Sequence, residues 1–548
     1  MKKDILKKLH LKQVKKMSKL DQVLLGLIGL GAVALIGFLL NLAYMNWPQP
    51  SVATLLPAKN TIMYVEVNSL KLPTKLEAGE DQMKLTESLG QPFGVNLVPM
   101  LESFAGDGLA FAMIKEQSMQ NQPLLFIKTK TKRSALNYFE SLTLPNEELI
   151  KTAGENPVYY YPQGQPFAFR FIKKYVVIGQ SPDALALLDN LEGQTLQNDE
   201  NYEKSVGNLP RRSWILAYVD FRNLTFSDNP AINSIVEPLK HAIRHIALAV
   251  RQDQEGFHFN TFLNLNKDLL SLDRGESKGK FAYELTGYLP EENVAIYIGG
   301  ANLEAEWLNT LETISNLNPA YGVILEGMVR AQANEVFGEQ VDLRNDIYPL
   351  FEGEYALSVG SGENGREISL ILSHDNREFA EAKLEKLARG FKFLAAKFAP
   401  KVEVVTLPDG TESRELVPDD GKLESTGETV NGYIVNCIEV TGTSAGFCYA
   451  ATDEIIMMTN SKDRLLKTID LTGTNLLSES ASFRKSLANL SKVSDEVTYM
   501  NFENFYKLTA SNQYVQALQP LLSKLEAGSW VKHYFTDGVS TEGYVLVK

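Results

Sequence analysis

Cysteine is nearly absent from this sequence: 548 residues hold two, Cys437 and Cys448, beside six histidines and four tryptophans. So few thiols and imidazoles exclude a zinc ribbon, a paired-cysteine redox motif and a disulfide-dense secreted scaffold. A phosphate-binding P-loop, an EF-hand loop and a sustained aromatic–basic pattern are missing too. Long hydrophobic runs are equally scarce. One exists, VLLGLIGLGAVALIGFLLNLAYM from Val23 to Met45, and nothing before the C-terminus resembles a second.

That run lacks charge from Gln22 to Met45. Crossing a bilayer core of about 30 Å takes roughly 20 helical residues, because every backbone polar group must bond within its own segment. The sequence therefore predicts a transmembrane helix over 22–45. Tyr44 and Trp47 stand at interfacial positions, and Pro48 and Pro50 end the helix. The tail 1–21 holds eight lysines against Asp4 and Asp21, and the next cation is Lys59. This asymmetry places the N-terminus in the cytoplasm and everything beyond the linker 46–55 outside. The rival is a cleavable signal peptide ending near Ser51-Val52-Ala53, but a signal core spans only about 7–15 residues. The lysines either set topology alone or also lay the tail on an anionic leaflet.

The net charge is −13. Without the tail, the chain carries 46 basic and 65 acidic side chains, a balance of −19. Such a surface repels phosphate backbones, so nucleic acid is not an expected partner. A hydrophobic content of 44% is ample for folded cores.

Both cysteines fall in β-rich runs, YIVNCIEV (433–440) and FCYAA (447–451), on either side of a Thr-Gly-Thr-Ser-Ala-Gly turn. A hairpin centred between Gly442 and Thr443 sets Cys437 opposite Cys448. An oxidising compartment then favours a cross-strand disulfide over two buried thiols.

The chain also repeats itself. Leu56-Pro57 with IMYVEVNSL (62–70) matches Leu289-Pro290 with AIYIGGANL (295–303). The runs 123–142 and 368–387, 175–191 and 455–471, and Asn208-Leu209 with 217–221 and Asn489-Leu490 with 498–502 follow in the same order. Insertions account for the changing offset. The largest is VEVVTLPDGTESRELVPDDGKLESTGETVNG (402–432), acidic, turn-rich and with a Pro-Asp-Gly hairpin tip. Alternating strands include Ile62–Val67, Leu109–Ile114, Leu124–Lys128, Tyr175–Gly179, Ile215–Phe221, Ile246–Arg251 and Phe257–Leu263. Ser181-Pro182-Asp183 and Ser461-Lys462-Asp463 open helices. Connections as short as that between 251 and 257 demand antiparallel pairing. The expected class is α+β: a transmembrane helix followed by two tandem, duplicated α+β domains, 56–285 and 286–548, with largely antiparallel sheets, one per half. The second domain carries the acidic insertion at about 400–432.

The motifs carry a resemblance. A span is followed by a Leu-Pro-x(6)-Tyr strand (Leu56, Pro57, Tyr64), a glycine-containing strand entry (Phe104 to Leu109), a strand–Ser-x-Asp–helix segment (Val176 to Leu191) and a Leu-Pro-x(7)-Tyr strand (Leu209, Pro210, Tyr218). This pattern resembles bacterial envelope proteins of the DUF3352 family, whose function is unassigned. The resemblance implies an envelope location and duplicated architecture, and transfers no catalytic residue.

Motifs that suggest chemistry have plainer readings. Gly442-Thr-Ser444-Ala-Gly446 fits a nucleophile elbow, yet strands flank it on both sides. Gly360-Ser-Gly362-Glu-Asn-Gly365 fits a dinucleotide fingerprint, yet a strand follows where a helix is needed. His241 and His245 stand four apart without the glutamate of a zinc protease, and only His258 lies near in sequence. The pairs Glu291/Glu292 and Glu352/Glu354 read as solvated faces of an acidic surface. No catalytic residue, cofactor or metal ligand is assigned, and only the disulfide Cys437–Cys448 is. The expectation is a non-enzymatic, membrane-tethered envelope binding or scaffold protein whose partner is another envelope protein. The alternatives are a lipid or hydrophobic-ligand binder near the membrane and a hydrolase with an unrecognised site.

Overall fold

A computed structural model describes residues 51–548 apart from 69–92, 94, 116–120, 143–147, 155, 163–166, 190, 192–193, 211, 225–239, 270–282, 363–364, 399, 409, 442, 444, 472–474, 493, 513–514, 517–518 and 536. The expected span over 22–45 and the lysine tail lie outside the described residues. Among those described, no helix is long and apolar enough to cross a membrane. Residues Val52–Leu55 form a 3-10 turn in a unit separate from the body, Leu56–Lys548.

In the first half of the body the strands are β1 (Thr61–Val67), β2 (Ala105–Lys115), β3 (Asn121–Thr129), β4 (Ile150–Lys151), β5 (Val158–Tyr160), β6 (Ala168–Ile172), β7 (Tyr175–Gly179), β8 (Ile215–Asp220), β9 (Ile243–Gln252) and β10 (Gly256–Leu265). The second half contributes β11 (Val294–Gly300), β12 (Tyr355–Gly362), β13 (Gly365–Ser373), β14 (Pro400–Thr406), β15 (Glu412–Pro418), β16 (Leu423–Val430), β17 (Tyr433–Val440), β18 (Gly446–Ala451), β19 (Ile455–Thr459), β20 (Glu496–Asn501), β21 (Leu525–Phe535) and β22 (Gly538–Val547). The helices of the first half are α1 (Leu97–Ser103), α2 (Lys132–Ser141), α3 (Pro182–Ala186) and α4 (Glu200–Gly207). Those of the second are α5 (Leu303–Leu317), α6 (Pro319–Phe337), α7 (Arg377–Phe398), α8 (Lys462–Ile469), α9 (Ala481–Ala488), α10 (Phe502–Thr509) and α11 (Gln519–Leu522). The serines named from sequence are N-caps: Ser181 accepts from Ala184 N–H at 3.2 Å and Ser461 from Arg464 N–H at 3.3 Å. Each satisfies an amide that the helix itself leaves unpaired.

Every strand contact is antiparallel. From one edge the order is β4-β5-β6-β7-β3-β2-β1-β8-β9-β10, and the first half ends there. β10 then pairs with β22 over Gly256↔Leu546 to Asn264↔Gly538. The order continues β21-β20-β11-β12-β13-β19-β18-β17-β16. The mixed α/β class with antiparallel pairing is as the alternation implied. The expectation of one sheet per half is corrected: the last strands of the two halves meet edge to edge, and one 20-stranded sheet crosses the boundary at 285/286. β14 and β15 form a separate two-stranded hairpin.

The two halves repeat one wiring, each half's first strand lying between its second strand and the strand near its end. The packing repeats with it. Tyr64 pairs with Tyr218, and Tyr202 from α4 packs on both rings, with centroids 6.4 and 5.2 Å away. Tyr297 pairs with Tyr499, and Phe483 from α9 packs on both, at 5.9 and 5.2 Å. An isolated bridge from the Leu-Pro entry recurs as Pro57↔Thr195 and Pro290↔Leu476. Tilted and edge-on aromatic contacts of this kind add about 0.5–1.5 kcal/mol beyond area burial.

A charged end and a charged row in the second half

The second half departs from the first in two places. The first is the end of the sheet. Cys437 and Cys448 sit directly opposite on β17 and β18, with Cα atoms 4.0 Å apart and their sulfurs bonded. Both are buried. The Pro-Asp-Gly segment lies between β14 and β15, as the turn chemistry implied, although α7 also absorbs part of the extra length by running on to Phe398. Above β16 and β17 a cleft of about 300 Å3 opens, lined among others by Arg366, Glu367, Glu424, Glu439, Lys462 and Asp463. Its walls are tied together. Lys462 N–H donates to Glu439 Oε1 at 3.3 Å, Lys462 Nζ meets Glu428 at 3.1 Å, and Thr441 Oγ1 donates to Glu424 Oε1 at 3.3 Å. Asn460 spans the other side, accepting from Ile368 N–H at 2.8 Å and donating to the Arg366 carbonyl at 2.7 Å. Glu424 and Glu439 are cross-strand partners, and like charges so placed repel.

Replacing both cysteines with serine is expected to cost about 2–3 kcal/mol, the chain-entropy value for closing so short a loop. Thermal melts of the oxidised chain should fall to the value of the double variant when dithiothreitol is added. Melts that ignore the reductant would show that the bridge contributes nothing.

The second departure is a row across the sheet. Tyr355 pairs with Gly300, Gly300 with Glu496, and Glu496 with Lys532. A Cβ on Gly300 would stand 2.6 Å from the Tyr355 ring, so the bare backbone is what lets that ring lie across it. Lys532 Nζ binds Glu496 Oε1 at 2.5 Å. The matching row of the first half, Leu109–Val67–Ile215–Val250, is wholly apolar. From α5, Glu306 faces the charged row. Burial, then the Glu496 carboxylate, pushes its carboxyl up to about 7, against the pull of Lys532. A carboxyl at that value exchanges protons near neutrality, the property a general acid needs. None of these groups lines the cleft.

The sign of the resulting pH dependence is fixed. Glu306 ordinarily titrates near 4.5 and titrates near 7 in the fold, so the folded state holds the extra proton between those values. Stability therefore declines as pH rises through that window. Glu306→Gln is expected to stabilise by about 2 kcal/mol at pH 8 and by little at pH 5. Urea midpoints at the two pH values check this, and equal shifts at both would refute it.

The motifs singled out in the sequence do not converge. Gly362 and Gly365 close the β12–β13 hairpin, so the glycine-rich run is a turn between strands. Ser444 lies outside the described residues. His241 lies in a helical turn and is exposed, whereas His245 sits inward on β9. The two share no helical face. His245 is fully buried, stacks on Tyr218 and lies 3.9 Å from Asp220. Arg222 already holds that carboxylate at 2.8 and 3.0 Å. Burial lowers the imidazole to about 4 and keeps it neutral. His258 lies toward the far end of β10, paired with Arg251, while His245 pairs with Asn264. Glu354 accepts from Leu285 N–H at 3.1 Å and is a structural partner of the β11 entry. Among the described residues, no group of three or more His, Cys, Asp or Glu side chains is placed to hold a metal ion.

The family whose model is described as "Protein of unknown function (DUF3352)" matches residues 23–532. The chain belongs to the DUF3352 family. No curated protein matches it in sequence. Two solved structures, "Structure of crystal form IV of TP0453" and "Structure of crystal form I of TP0453", are similar over 40% of this chain and over 83% and 81% of theirs. Their identities are 11% and 12% and the TM-score of each is 0.25. In this DUF3352 chain the glutamates of the charged row and the walls of the cleft come from segments far apart in sequence, so no local motif announced them. A signal was present all the same: at matched positions of the repeat, Gly300 and Glu496 stand where the first half has Val67 and Ile215.

Proposed function

We propose that this chain is a membrane-tethered binding or scaffold protein of the bacterial cell envelope, assembled from two copies of one α+β unit. The span 22–45 holds it at the inner membrane with its N-terminus in the cytoplasm, and the second unit presents the binding surface. One observation carries the reading: of the features that the second unit has beyond the first, the exposed ones include the β16 end of the sheet. There the disulfide braces β17 and β18, the charged cleft opens, and the hairpin 400–418 exposes Val402 and Leu416 at 61% and 71%. The α5–α6 pair adds Val323 and Met328, 73% and 62% exposed. Apolar side chains that stay this wet beside polar ones are characteristic of partner surfaces. The cleft's charged walls favour a protein partner over a lipid, and the carboxylates of the charged row, shielded by α5, favour a structural role over hydrolysis.

A photo-crosslinking residue at Leu416 is expected to give a discrete adduct in membranes of the native host, and the same residue at Ile150 in the first unit none. Absence of an adduct from Leu416 would remove the reading. The topology has its own check. A reporter fused after Lys548 should be active only outside the cytoplasm, and cytoplasmic activity there would reverse the orientation.

A further inference from the structure

We infer that the outer edge of β16 takes up an extended, lysine-bearing segment of another protein as an added antiparallel strand. Among the described residues β16 is the last strand of the sheet and pairs only with β17, through eight consecutive residues from Leu423↔Val440 to Val430↔Tyr433. Asn431 and Gly432, both at positive φ (50° and 86°), form the two-residue turn that closes this hairpin, so Val430 and Tyr433 are a hydrogen-bonded pair. Hydrogen-bonded pairs then alternate along the ladder at Glu428, Thr426 and Glu424. Thr429, Gly427 and Ser425 turn their N–H and C=O groups away from β17. No residue among those described bonds them on that side. Residues 424–429 are all exposed.

Natural sheets blunt such edges with proline, bulges, short strands, charged side chains or cover. Here only the charges of Glu424 and Glu428 stand guard, and a basic strand would neutralise them. This edge has no proline, keeps an unbroken register and is eight residues long. An edge of that kind is the template for strand addition, where main-chain bonds supply affinity and alternate side chains supply selectivity.

Charge identifies the occupant. Glu424, Thr426 and Glu428 project on one face, and Glu424 stands beside its partner Glu439 at the mouth of the cleft. An added strand would place every second side chain on that same face, next to Glu424 and Glu428. Of the charged groups lining the cleft, Glu367, Glu424, Glu439 and Asp463 outnumber Arg366 and Lys462. A lysine at those alternate positions relieves the Glu424–Glu439 repulsion. A second copy would not, because it brings the same two glutamates and the same acidic surface.

The inference rests on the binding-protein reading and is narrower than it. Its test uses the full chain in detergent and an eight-residue peptide of alternating lysine and threonine, followed by fluorescence anisotropy. Gly427→Pro blocks the outward N–H without touching the β17 ladder. A Cβ there meets only the Asn436 side chain, at 3.3 Å, and the net charge is unchanged. The wild-type chain should bind the peptide, Gly427→Pro should weaken binding at least tenfold, and Glu424→Gln with Glu439→Gln should weaken it several-fold. Failure of the wild type to bind, or equal binding by Gly427→Pro, overturns the inference. So does a wild-type dimer in sedimentation that Gly427→Pro converts to monomer, since the occupant would then be a second copy. In each case a Leu416 adduct, if found, leaves the broader reading standing.

Discussion

Arg464→Ala is expected to destabilise the second unit by about 3–5 kcal/mol, more than any surface change in the protein. Arg464 is a buried cation on α8. Its guanidinium donates to the carbonyls of Glu292 and Pro290, both at 2.9 Å. Those carbonyls belong to the entry of β11, where Pro290 bridges Leu476 and Leu477 N–H bonds the Leu289 carbonyl at 2.8 Å. Removing the side chain leaves one buried and one part-buried acceptor unsatisfied and opens a cavity between helix and strand entry. Arg464→Met, which keeps most of the volume, should cost less because only the polar part is lost. Urea unfolding of the three proteins separates the two contributions. A loss under about 1 kcal/mol for the alanine variant would mean that the carbonyls find other donors.

The second large effect is expected at the seam. Gly256 opens β10 opposite Leu546, and a Cβ there would lie 2.0 Å from the Val545 carbonyl oxygen. That atom is main chain, so relief requires the two strands to part. Gly256→Val should therefore cost about 3 kcal/mol and weaken the junction between the units rather than either core. The expected signature is a second unfolding step, with the first step appearing at lower denaturant than in the wild type. A single transition at an unchanged midpoint would show that the seam carries no stability.

Much of this architecture was legible in the residues. Alternation located β1, β7, β8 and β10 to within a residue or two at each end, because a half-buried strand imposes a period of two on its own sequence. The self-match aligned Tyr64 with Tyr297 and Tyr218 with Tyr499, although that these rings hold α4 and α9 emerged only from the fold. Cys437 and Cys448 were readable because a short hairpin leaves one register that opposes them. The seam was not readable. β10 and β22 alternate as the other strands do, and nothing local says which edges will meet. The charged row escaped for a related reason: Glu306, Tyr355, Glu496 and Lys532 belong to four elements, and only the folded sheet makes them neighbours. His245 was visible as a residue but not as a buried one, since its neighbour His241 is exposed and the junction between helix and strand falls between them.

The joining of β10 to β22 also bears on the order of events during synthesis. Asn264 on β10 reaches the carbonyl of Asp537 across a sequence separation of 273. On a chain made from its N-terminus, the first unit is complete while its final strand still lacks a neighbour. It must wait with an open edge until β22 has been made. Contacts of such long range slow folding, and an uncovered strand is vulnerable to wrong pairing meanwhile. The C-terminal residues thus act as a closing signal, and a chain cut short before Gly538 would leave both units exposed along the margin at which they should meet.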